Sequence, residues 1–134
     1  MDEMRVGQKG RLCHRWWARG KRPPGVQDQR HEWAYLFGAA RPGGEAAFAL
    51  VLPTVKALAV PPNVTLVPLP PYSPQLNPME RLWLYLRERF LSLRVLEGYE
   101  AIVDACCIAW NAIADDADRI RSLCLYPYIQ KVIG

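Results

Sequence analysis

The chain has 134 residues, 51% of them hydrophobic, and a net charge of +4. That length suits one domain with a core of its own, and that apolar content excludes a disordered tail. No apolar run is long enough to span a bilayer, no signal sequence is recognisable, and Cys13, Cys106, Cys107 and Cys124 lack zinc-type spacing, so a soluble cytoplasmic protein with reduced thiols is expected.

The basic excess is N-terminal: residues 1–45 carry nine Lys/Arg against five Asp/Glu, and residues 46–134 carry eight of each. The acidic pair Asp2-Glu3 opens the chain, where an acid is ordinarily part of a frayed end. From Arg5 to Arg22 there are seven basic residues, no acid and the adjacent pair Trp16-Trp17. Basic side chains interleaved with aromatics suit a surface that neutralises phosphates and stacks on bases, while a solvated basic loop is the plain alternative. His14 and His31 have no partners at ligand spacing. Residues 33–40 and 47–52 are rich in aromatic and small apolar residues, flank Pro42-Gly43-Gly44 and predict a β-hairpin. Residues 64–67, Val-Thr-Leu-Val, predict one further short strand.

The run from Pro70 to Trp83 organises the rest. Four prolines at positions 70, 71, 74 and 78 cannot continue a strand or lie inside a helix, so they predict an extended, turning connection. Helix starts at Asn77: Asn is a good N-cap, Pro78 suits the first helical position, and Glu80 stands where a capping box places its carboxylate. Met79, Leu82, Trp83, Leu86, Phe90 and Leu93 then form one apolar stripe at helical spacing, which predicts a core face. A second helix over about 99–113 repeats the pattern with Ile102, Val103, Cys106, Ala109, Trp110 and Ile113. Asp115, Asp116 and Asp118 suit the N-terminal end of a short amphipathic segment over 119–124, as caps and not as metal ligands.

Pro-Tyr-Ser-Pro-x-Leu-Asn-Pro-x-Glu-x-x-Trp, at Pro71 to Trp83, resembles the last acidic motif of the mariner-like DDE transposases, especially the bacterial insertion-sequence branch. The flanks resemble that family from Asp2 to Tyr126-Pro127-Tyr128-Ile129. The resemblance implies an α+β, degenerate ribonuclease-H-like fold: N-terminal strands with a hairpin, one further strand, then C-terminal helices. It makes Glu80 the third metal-binding carboxylate and Asp2 the first. It places the Arg5–Arg22 turn beside DNA, with Arg15, Arg19, Lys21 and Arg22 as phosphate contacts. It also implies Mg²⁺ or Mn²⁺ as cofactor, and transposon-end DNA as partner, with homo-oligomers or association with an intact transposase.

The departures from the family lie at two places. By the resemblance, the body of the first strand before Asp2 is expected to be missing, and Leu52-Pro53 runs directly into Thr54-Val55-Lys56-Ala57-Leu58, which resembles family sequence downstream of the second catalytic Asp. The acids between Asp2 and Glu80 are Glu3, Asp28, Glu32 and Glu45, and none stands in an Asp-Asn-x-x-His-like setting. A two-metal site needs carboxylates from different elements to bind both the attacking and the leaving oxygen. The expectation is therefore a single, incomplete DDE catalytic domain over residues 1–134 that has lost activity, with a non-catalytic DNA-binding or transposase-partner module as the alternative.

Overall fold

The computed structural model describes residues 2–9, 16–22, 28, 30–41, 47–54, 59, 62–63 and 68–133. Three strands form one antiparallel sheet in the order β1-β2-β3: β1 Asp2–Gly7, β2 Trp33–Ala40 and β3 Ala47–Leu52. β1 pairs with β2 from Asp2 opposite Gly38 to Gly7 opposite Trp33, and β2 with β3 from Tyr35 opposite Leu52 to Ala40 opposite Ala47. The expected hairpin is present. Asp2 is not a frayed terminal acid, because it is a paired residue of β1. The turn at Pro42-Gly43-Gly44 and the strand expected at 64–67 lie outside the described residues.

Side chains alternate across a strand, so this register sorts the sheet into two faces. Met4, Val6, Ala34 and Leu36 are buried on one of them, joined by the partly buried Ala40, Ala47, Ala49 and Val51. The first two helices pack there. The opposite face carries Arg5, Trp33, Tyr35, Phe37, Phe48 and Leu50; Phe37 is buried, while Trp33, Phe48 and Leu50 are exposed. At the end of β1, buried Gln8 joins three segments. Its side chain donates to the Leu96 carbonyl at 2.9 Å and accepts from the Glu32 backbone at 3.2 Å.

Four helices follow the proline-rich connection: α1 Pro78–Leu86, α2 Tyr99–Ala114, α3 Ala117–Cys124 and α4 Pro127–Ile133. α1 contacts β2, and α2 contacts all three strands. Met79, Leu82, Trp83 and Leu86 are buried as the stripe predicts. The stripe then breaks: Leu91 is buried where Phe90 was expected, Phe90 is only partly buried, and Leu93 leaves the helix with φ 61°. The reason is that Arg87–Leu91 forms a wide π turn. Its i to i+5 bonding adds one residue to the turn, so the inward position slips by one.

α2 matches its expected span to within a residue. Ile102, Cys106, Ala109, Trp110 and Ile113 are buried as predicted, joined by Ala105, while Val103 is half-buried. Asp116 caps α3, its carboxylate accepting from the Arg119 backbone at 2.8 Å. α4 had no sequence signal beyond Tyr126-Pro127-Tyr128. The Tyr128 hydroxyl donates to the Leu76 carbonyl, so α4 is tied back to the connection that starts α1.

Candidate functional site

The proline run ends in a single 3₁₀ turn over Pro74–Leu76. In it the Leu76 N–H donates to the Ser73 carbonyl at 3.0 Å and the Asn77 N–H to the Pro74 carbonyl at 2.9 Å. Asn77 then caps α1, its side-chain oxygen accepting from the Met79 N–H at 3.1 Å. The expected capping box is not closed. A box needs the Asn77 N–H for the Glu80 carboxylate, and the 3₁₀ turn has already taken it. Glu80 is left exposed on the first turn of α1.

The other half of the Asn77 amide reaches the sheet. Nδ2 donates to Asp2 Oδ2 at 2.8 Å, and Trp83 Nε1 donates to the same oxygen at 2.9 Å. Asp2 Oδ1 accepts no hydrogen bond from the described residues. Gly38, opposite Asp2 in the sheet, makes this possible: a β-carbon there would fall 2.4 Å from the Trp83 ring and 2.9 Å from Met79 Cε. The indole lies in the space where a side chain would be, and its N–H comes within reach of the neighbouring strand.

Asn77, Glu80 and Trp83 are spaced three apart, so their azimuths step evenly around α1 with Glu80 between the two donors. Asp2, which binds both donors, is thus held against the helix stretch that carries Glu80. Among the described residues, no group of three or more His, Cys, Asp or Glu is placed to hold a metal. Of the other acids before Glu80, Glu3 is exposed and alternates to the opposite sheet face from Asp2. Asp28 binds Arg30 at 2.7 Å, a hydrogen bond that raises the guanidinium pKa. Glu32 is exposed, and Glu45 lies outside the described residues.

Glu80 lines a cleft of about 350 Å³ with Arg81, Arg87 and Tyr126, and the Arg81 guanidinium stacks 4.8 Å above the Tyr126 ring. Arg87 also borders a second cleft of about 350 Å³, lined by Arg5, Lys9 and Leu91. Arg5 lies 4.6 Å above the Trp33 ring. A cationic strip with aromatic planes therefore runs from Glu80 across Arg87 to Lys9, Arg5 and Trp33. The expected phosphate contacts lie elsewhere. Arg19, Lys21 and Arg22 are exposed around a turn in which the Lys21 N–H donates to the Ala18 carbonyl at 3.1 Å, and none of them lines either cleft. Arg15 lies outside the described residues.

Sequence reasoning missed Gly38, the Asp2-binding role of Asn77 and Trp83, and the bridging position of Arg87. Gly38 had a signal, since a glycine inside an aromatic strand marks a close approach. Trp83 stood in the core stripe and at the end of the proline-punctuated motif, and neither place named a partner for its indole N–H.

The geometry is that of an α+β chain whose proline-punctuated helix start is joined to the first strand through an acid. A family model described as DDE superfamily endonuclease matches residues 53–102, the stretch that contains this helix start. An uncharacterized protein of Sinorhizobium fredii, y4pE/y4sA, is 34% identical over 125 residues, an alignment spanning 68% of this chain and 93% of that protein. No solved structure matches. The match over residues 53–102 supports a DDE transposase-type domain, of a family whose members generally use divalent metal ions and act on DNA. No helix among the described residues is long and apolar enough to cross a membrane.

Proposed function

We propose that the chain is a DDE endonuclease domain of the mariner-like, insertion-sequence type, with a degenerate ribonuclease-H-like fold, derived from an enzyme of DNA transposition and no longer able to cleave DNA. The observation that carries this reading is the joint between the two acids that the resemblance singles out: Asp2 of β1 is bound by Asn77 and Trp83 of the motif that contains Glu80. On this reading Asp2 and Glu80 would supply the protein ligands of one weakly held Mg²⁺ or Mn²⁺, an ion that would polarise a phosphodiester and its attacking oxygen. A second ion would need a bridging carboxylate between them; among the described acids before Glu80, Glu3 alternates to the other sheet face and Asp28 is engaged by Arg30.

The test is nicking of supercoiled plasmid in Mg²⁺ and in Mn²⁺. The expected result is none above background. Nicking that disappears in Glu80→Ala would overturn the loss of activity and leave a working site.

A second reading, a non-catalytic DNA-binding module that associates with an intact transposase, is favoured by the cationic strip beside Glu80. Binding through phosphates must weaken steeply as salt rises. Arg5→Ala combined with Arg87→Ala is expected to lower affinity for duplex DNA more than Arg19→Ala combined with Arg22→Ala, measured by fluorescence anisotropy at two salt concentrations. A larger loss in the Arg19 and Arg22 pair would move the DNA path to the turn that carries them, and salt-insensitive binding would remove this reading.

A further inference from the structure

The geometry points to Asn77 and Trp83 as positioning residues that hold Asp2 by one carboxylate oxygen and leave the other as the donor to a divalent cation. The inference rests on the metal-site reading above and deepens it.

Both donors converge on Oδ2, at 2.8 and 2.9 Å, while Oδ1 takes no hydrogen bond from the described residues. A carboxylate fixed at one oxygen by two donors from the same helix cannot rotate without breaking both bonds. Both donors are also neutral. Among the described residues no Lys or Arg pairs with Asp2. A cationic partner would orient the carboxylate as well, but would compete with a metal ion for its charge. Neutral donors orient it and leave that charge in place, as outer-shell groups around metal ligands commonly do.

The choice of Asn at the cap points the same way. Ser, Thr or Asp would serve the Met79 N–H as helix cap. Asn alone among good caps has, in one amide, an acceptor for the helix and a strong donor for a carboxylate. Asp at position 77 would set a second negative charge against Asp2. Trp83 likewise has an N–H that Phe would lack at almost the same volume. Capping and core packing alone require neither group.

The experiment uses the full chain, Mn²⁺ alone as probe, and the variants Asn77→Ser, Trp83→Phe and Asp2→Asn. Mn²⁺ affinity is read by the free-ion electron paramagnetic resonance signal, and the tryptophan indole N–H peaks by ¹H–¹⁵N spectra without metal. Asn77→Ser keeps a cap, so its thermal midpoint should stay near that of the parent while Mn²⁺ affinity falls roughly tenfold or more, the usual range for losing an outer-shell partner. Trp83→Phe should weaken Mn²⁺ similarly, and Asp2→Asn should move the Trp83 indole peak. Parent-like Mn²⁺ affinity in Asn77→Ser overturns the inference, even if Trp83→Phe does not fold. A parent chain that binds no Mn²⁺, yet whose Trp83 peak moves in Asp2→Asn, supports the hold on Asp2 and overturns the metal reading instead.

Discussion

A β-carbon at position 38 would stand 2.4 Å from an aromatic ring that is itself buried between sheet and helix, and neither the ring nor the β2 backbone is a flexible tip. Gly38→Ala is therefore expected to destabilise the fold by about 1–3 kcal/mol, the usual cost of overpacking, and to displace the Trp83 N–H from Asp2. Urea unfolding with the Trp83 indole peak as second readout checks both; a parent-like midpoint would show that the strand relaxes freely. Asp2→Ala should cost about 1–3 kcal/mol, because two part-buried donors lose their acceptor, whereas Asp2→Asn keeps a carbonyl for them and should cost less. Half of this site was legible in the sequence. The proline run, the cap and Glu80 announce themselves through local stereochemistry, which a sequence records directly. The joint between Asp2 and Asn77 spans 75 positions. It depends on β1–β2 register and on an empty place at Gly38, and neither is a local property.

At the scale of the element, the informative departure is the wide turn at the end of α1. A continuous α-helix would have carried Phe90 inward, and the added residue of the π turn carries Leu91 there instead. Leu91→Ala should cost about 2–5 kcal/mol, while Phe90→Ala, at a half-buried position, should cost less despite the larger side chain removed. The reverse order in chemical denaturation would mean that the regular helix re-forms. Helix existence, start and inward face were all readable from spacing. The end of the stripe was not, because a helix that widens by one residue keeps its composition and changes only its phase.

Across the whole molecule, burial makes the cysteines unequal. Among the three described cysteines, Cys106 and Cys124 are buried within the helical core and Cys107 is exposed, so in a Cys13→Ser background a thiol reagent should modify Cys107 in the native protein and the other two only on unfolding. Burial pushes the Cys106 thiol up to about 12, from an ordinary value of 9.0. A raised folded-state pKa on an acid means that the unfolded chain releases its proton first. Stability is then full below pH 9 and falls as pH climbs toward 12, by up to about 1.4 kcal/mol per unit. Cys106→Ala should reduce this alkaline slope, although its cavity lowers the plateau, and leave the part owed to Cys124, whose thiol is also pushed up by burial. A slope that persists unchanged would assign it to another group.

The hold on Asp2 also bears on descent. Because two donors depend on that carboxylate, replacing it is penalised through folding, whether or not the chain still touches a nucleic acid. Selection for a stable molecule is enough to keep the acid in every generation. A relic of this architecture would go on displaying its ancestral acid long after any chemistry had ceased, so an Asp kept at this position would record the joint with Asn77 and Trp83 and would not by itself signal a working site.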